Sequence, residues 1–170
     1  TFSTYSSYTS SITSSFEESN TIVFSYNPTT VYQNTQVSTT NKTTLVATAR
    51  ARNTQSGPDL FYLGIELRGV GGGLIYSHNT GWVNLTNSYQ DITLSVMSTG
   101  VGAEAWALVD SVSLVVGGDD AEFWAGNYGP TVESASLKLD GTELMSNVEF
   151  ASGDRYWTSS VGWQACHATI

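Results

Sequence analysis

At 170 residues, with 12% charged side chains, a net charge of −9 and six Lys and Arg in all, the chain is one domain's worth of acidic protein. That balance excludes nucleic acid, whose binding rests on neutralising phosphates, and disfavours an anionic membrane surface. The single cysteine, Cys166, excludes an internal disulfide, and no apolar run approaches the roughly 18 residues that span a bilayer as a helix.

Ser and Thr make up half of the first 44 residues, among which Phe2, Tyr5, Tyr8, Ile12 and Phe16 are scattered. A low-complexity polar arm can be disordered, but β-branched Thr and aromatic Tyr favour strands. Between these two states, residues 1–44 read as a strand-prone arm that pairs with a sheet edge, within its own domain or on a neighbour. No dozen-residue window carries a helical apolar stripe, whereas period-2 alternation recurs. Ala47, Ala49 and Ala51 alternate with Val46, Thr48, Arg50 and Arg52; Phe61, Leu63, Ile65 and Leu67 alternate with Tyr62, Gly64, Glu66 and Arg68. Ile92, Leu94 and Val96 repeat the pattern, and Trp106, Leu108, Val112, Leu114 and Val116 extend it through a longer strand interrupted at Asp110. Asn27-Pro28, Ser56-Gly57-Pro58-Asp59, Gly69 to Gly73, Gly100-Val101-Gly102 and Gly117-Gly118 punctuate these strands as turns. Asp140-Gly141 predicts a type I′ hairpin, since both residues tolerate positive φ. The fold class is all-β: an antiparallel sandwich of the jelly-roll or galactose-binding-like kind.

The segment from Gly117-Gly118-Asp119-Asp120 through Phe123-Trp124-Ala125-Gly126-Asn127-Tyr128-Gly129 to the alternating run ending at Leu139 resembles the closing signature of the F-box-associated domain, a β-sandwich related to galactose-binding jelly rolls. The resemblance covers roughly Leu60 to Leu139; together with the Ser/Thr-rich start and the Asp140-Gly141 turn it gives an arm (1–44), a sandwich core (45–139) and a C-terminal hairpin or arm (140–170). That last arm pairs with its own copy or a neighbouring one. There is no F-box segment, so an adaptor role in ubiquitin ligation does not follow. The resemblance aligns Phe123 and Trp124 with an aromatic pair that packs on the core sugars of N-linked glycans in glycan-binding members. Asn127 and Tyr128 lie close enough to add polar contacts. An aromatic face suits a pyranose, which has an apolar C–H face and a hydroxylated rim. The competing role for Trp124 is a plug at one end of the sandwich.

Asp119, Asp120 and Glu122, with Asp59 or Asp110, supply hard oxygen ligands of the type calcium takes, without the spacing of any defined calcium loop. No cofactor other than such a structural calcium is expected. Asn41-Lys42-Thr43 and Asn84-Leu85-Thr86 are N-glycosylation sequons. Catalysis has little support: His78 sits in a predicted loop, Cys166 and His167 are adjacent on a strand and so diverge, and no nucleophile elbow or metal-binding motif is present. A chain opening on Thr1 reads as mature or trimmed, which favours an extracellular or cell-surface location. The expectation is a non-enzymatic structural or adhesive subunit whose partners are copies of itself, joined by exchanged strand arms. The alternative is a glycan-binding module built on the Trp124 loop.

Overall fold

The computed structural model describes residues 20–24, 28–53, 59–119 and 129–160, together with the strand at 166–169. Two six-stranded antiparallel sheets face each other, which is the all-β sandwich expected from the alternation. The first is ordered β12 (Cys166–Thr169), β1 (Thr21–Phe24), β9 (Pro130–Leu139), β3 (Thr44–Asn53) and β7 (Gln90–Met97), with β10 (Thr142–Glu143) also paired to β9. The second runs β11 (Thr158–Ser159), β2 (Thr29–Gln36), β8 (Ser111–Asp119), β4 (Leu60–Arg68) and β5 (Leu74–Asn79), with β6 (Val83–Asn84) on the far end of β4. Strands drawn from residues 1–44 and 140–170 therefore complete both sheets of their own chain.

Alternation decides which side chains meet between the sheets. β3 turns Ala47, Ala49 and Ala51 inward, fully buried, and β4 turns Phe61, Leu63, Ile65 and Leu67 against them with Val112, Leu114 and Val116 of β8. Small residues on one sheet facing bulky ones on the other let the layers close, and each fully buried Leu, Ile or Phe contributes about 1.5–3 kcal/mol. Opposite the bulge at Arg50/Ala51 stands Glu133, an extra residue on β9, whose carboxylate accepts from Arg50 Nε at 2.6 Å. Arg50 also reaches Asp91 on β7 at 3.4 Å, and these two carboxylates, Glu133 first, raise its pKa.

The Asp140-Gly141 hairpin forms as its sequence predicts, with φ of 45° and 84° and Thr142 opposite Leu139. Trp106 corrects the strand expectation. It lies in a short helical turn, Ala103–Ala107, that follows another at Ser98–Val101. There its ring is buried, its Nε1 donates to Lys42 O at 2.9 Å, and its carbonyl accepts from Thr39 Oγ1 at 2.8 Å. Five residues are too few to show a helical period, so the indole reads in sequence as one more alternating apolar.

The chain after Glu143 crosses from one sheet to the other. Val148 O accepts from Ala135 N on β9, while Gln33 of β2 exchanges two hydrogen bonds with the Ser146 backbone at 2.7 and 2.9 Å. Asn147 organises the strap: its Nδ2 donates to Gly153 O and Arg155 O, and its Oδ1 accepts from Ser152 N. Phe150 and Trp157 pack together at 5.4 Å and join the core, Phe150 with no exposed surface.

Candidate functional site

Phe123, Trp124, Asn127 and Tyr128 lie outside the described residues, as do Asp120 and Glu122. The structure fixes where their loop departs and returns. It leaves sheet two at Asp119, the last residue of β8, which stands opposite Leu60. It re-enters sheet one at Gly129, whose N–H donates to Phe24 O at 2.7 Å. Asp59, almost fully buried, precedes Leu60 and so shares this end of the sandwich with Asp119. Asp110 does not, because it precedes β8, whose nine residues end at Asp119, so the length of the strand, at roughly 3.3 Å per residue, separates the two. The pairing of Asp110 with Asp119, Asp120 and Glu122 in one calcium site is corrected accordingly. Among the described residues no three His, Cys, Asp or Glu side chains gather as metal ligands.

The other candidates are dispersed. Asn41 is exposed in a turn at φ 59°, and Asn84 is exposed on β6. His78, expected in a loop, belongs to β5, where it is exposed opposite Ile65. Cys166 and His167 occupy β12 opposite Phe24 and Val23.

Two surfaces not singled out by the sequence are well defined. The first is the flank where β7 ends sheet one and β5 ends sheet two, the two strands lying close to each other. Their sequences, Gln90-Asp91-Ile92-Thr93-Leu94-Ser95-Val96-Met97 and Leu74-Ile75-Tyr76-Ser77-His78-Asn79, contain no proline or lysine, the residues that commonly blunt a sheet edge. Exposed aliphatic residues adjoin one end: Val70 in the β4–β5 turn, Leu74 where β5 begins, and Leu108.

The second is the outer face of sheet two. The loop from Asn79 to Trp82 is pinned to β4, since Thr80 N donates to Leu63 O at 2.9 Å and Leu63 N to Thr80 Oγ1 at 3.1 Å. Asn79 Oδ1 accepts from Gly81 N at 2.8 Å, with Gly81 at φ 66°. This aims Trp82 across β4, its ring 5.2 Å from that of Tyr62 and tilted 42°. Two glycines make room beneath. A Cβ on Gly117 would lie 3.1 Å from Trp82 Cη2, and one on Gly64 would lie 3.0 Å from Tyr62 Cε1. Both rings thus rest on bare backbone. In the next row Tyr32 stands across from Val115, itself across from Gly64. Trp82 and Tyr32 remain 39% and 37% exposed, enough to present ring surface to a partner. Glycines inside β4 and β8 were the available sign, since a mid-strand glycine often marks the close approach of another group.

No protein-family model and no curated protein sequence matches the chain. Solved structures do. The fold is similar to VP2 in the infectious bursal disease virus subviral particle, with TM-score 0.52 and 11% identity over 73% of this chain and 30% of that one. It is also similar to the enzymatically active domain of Bacteriophage CBA120 tailspike protein 4, with TM-score 0.50 and 9% identity over 69% of this chain and 15% of that one. The chain thus spans less than a third of either protein, and the likeness is one of fold: an antiparallel β-sandwich of the kind found in viral capsid and tailspike proteins.

Proposed function

We propose that this chain is a structural β-sandwich subunit, without catalytic chemistry of its own, that assembles with copies of itself at an extracellular or cell surface. The observation that carries the reading is the flank formed by β5 and β7, one edge strand from each sheet with neither proline nor lysine to deter a neighbour. An uncovered edge is a template for another strand, and stacked edges let two copies continue both sheets at once. The likeness to a VP2 that forms a subviral particle agrees with a fold suited to such packing. Strand exchange, the route expected from the sequence, is less favoured than edge pairing, because β1, β2, β10, β11 and β12 already have partners within the chain.

Thr93 and Ser77 are exposed on the two edges. A Thr93→Lys/Ser77→Lys double variant should keep its fold, with stability within about 0.5 kcal/mol of wild type, and lose the higher oligomers of the unmodified protein in sedimentation velocity and electron microscopy. A wild-type chain that stays monomeric at all concentrations, or a double variant that assembles as wild type does, would sink the proposal.

A further inference from the structure

The outer face of sheet two has the makings of a recognition surface rather than of ordinary solvated strand. Trp82 and Tyr62 pack together over Gly117 and Gly64, where no Cβ stands between ring and backbone, and Trp82 stays 39% exposed. Here the Asn79–Trp82 loop is tied to β4 by hydrogen bonds, which fixes the platform before any partner arrives and lowers the ordering cost of binding. Tyr32 lies two strands away from Gly64, roughly 10 Å at about 4.8 Å per strand. One sugar ring does not bridge that distance, whereas a short oligomer does.

Charge narrows the occupant. The chain carries −9 overall, yet the charges on this stretch of β4, Glu66 and Arg68, are paired with each other at 2.9 Å. Beside them stand hydroxyls and amides, with the carboxylate of Asp119 two residues beyond Gly117 on the same side of β8. Asn34 Nδ2 donates to Ser113 Oγ at 2.8 Å, and Thr30 and Ser160 hydroxyls meet at 3.0 Å. Burial, and then Glu66, raise the pKa of Tyr62, so its phenol remains a neutral donor. Aromatic rings among hydroxyls and amides, with one carboxylate at the end of the row, complement a polyol with an apolar C–H face, whose hydroxyls can donate to that carboxylate; an anionic partner meets like charge there.

We infer that this face binds an uncharged oligosaccharide, stacked on Trp82 and Tyr62 and extended toward Tyr32. The site is separate from the Phe123-Trp124 loop, and it stands whether or not copies pair along the β5/β7 flank.

The test is isothermal titration calorimetry of the full chain against uncharged oligosaccharides (gluco-, manno-, xylo- and galacto-oligomers) and an acidic one from alginate, with Trp82→Ala and Tyr32→Ala as variants. At least one uncharged oligomer should bind, with affinity rising from dimer to longer chains. Each variant should weaken it about tenfold or more, equivalent to roughly 1.4 kcal/mol. Tyr32→Ala guards against misreading a folding defect, because its ring is not part of the packed pair. The edge-lysine double variant should bind sugar as wild type does, which separates this inference from the assembly proposal. It is overturned if no uncharged oligomer binds at millimolar concentration, if only the alginate oligomer binds, or if binding survives both alanine variants. It is also overturned if Trp82→Ala abolishes self-association instead of sugar binding, which would make the face a contact between copies.

Discussion

The two flanks of the sandwich solve the same problem differently. On one, β1 and β2 would be the outer strands, and each is covered by a short piece of the tail, four residues of β12 and two of β11. On the other, β5 and β7, six and eight residues long, end their sheets with nothing paired beyond them among the described residues. The closed flank depends little on strand length. A two-residue pairing has small worth alone, but β11 follows Trp157, which is anchored with Phe150 in the core and tied through Asn147 to the strap. Burial holds the cover in place, and the backbone ladder only registers it. Edge protection in this fold is thus a property of side chains distant in sequence, and the flank those side chains do not reach ends in β5 and β7 with no strand paired beyond them among the described residues.

Breaking the closed flank should have the largest effect. Phe150→Ala empties a fully buried site and is expected to cost about 3–5 kcal/mol, with a lower midpoint in urea unfolding. If the strap merely decorates the sandwich, the midpoint will hardly move. Next comes Gly118→Ala. A Cβ there would collide with Cβ and Cγ of Phe24, a side chain whose backbone cannot withdraw because β1 sits between β12 and β9. Overpacking of this kind typically costs about 1–3 kcal/mol, and a variant as stable as wild type would show that β1 yields easily.

The smallest effect concerns the turn where the tail leaves β9. The Asp140 carboxylate accepts from the Thr44 and Thr43 N–H groups and the Thr43 hydroxyl, and these bonds, Thr44 first, with Lys42 nearby, lower its pKa. A depressed carboxylate pKa stabilises the fold above the unfolded-state value and loses that contribution as pH falls through the folded value. Asp140→Asn keeps a residue tolerant of φ 45°, so its melting temperature should fall modestly at neutral pH and converge with wild type in acid. Parallel melting curves across the acid range that never converge would place the effect in the turn geometry instead.

How far the sequence carried depends on periodicity. β3 and β4 were legible because their alternation runs unbroken over nine or ten residues, and every inward position named on them is fully buried. Asp140-Gly141 was legible because few residue pairs take two positive φ values. Trp106 was misassigned because its five-residue helical segment is too short to show a repeating apolar stripe. Phe150 and Trp157 are single apolars among polar residues in an irregular strap, and nothing local marks them as core. Trp82 stands alone between Gly81 and Val83. Its placement over Gly117 depends on a register between β4 and β8 that joins residues more than fifty positions apart.

The pairing of β1 with β12 places Thr21 directly opposite Thr169, antiparallel. Cα atoms facing each other in such a ladder are about 5 Å apart, a gap that a hairpin loop of two to five residues closes. The two strands are a hairpin lacking only its connector. Joining them and reopening the backbone at the exposed Gly71-Gly72 tip, where both residues already hold positive φ and nothing crowds them, describes a circular permutant that keeps every strand pairing of the described residues. By the same geometry, the sandwich from Thr21 to Thr169 can be spliced into a surface loop of a host protein without prying that loop apart.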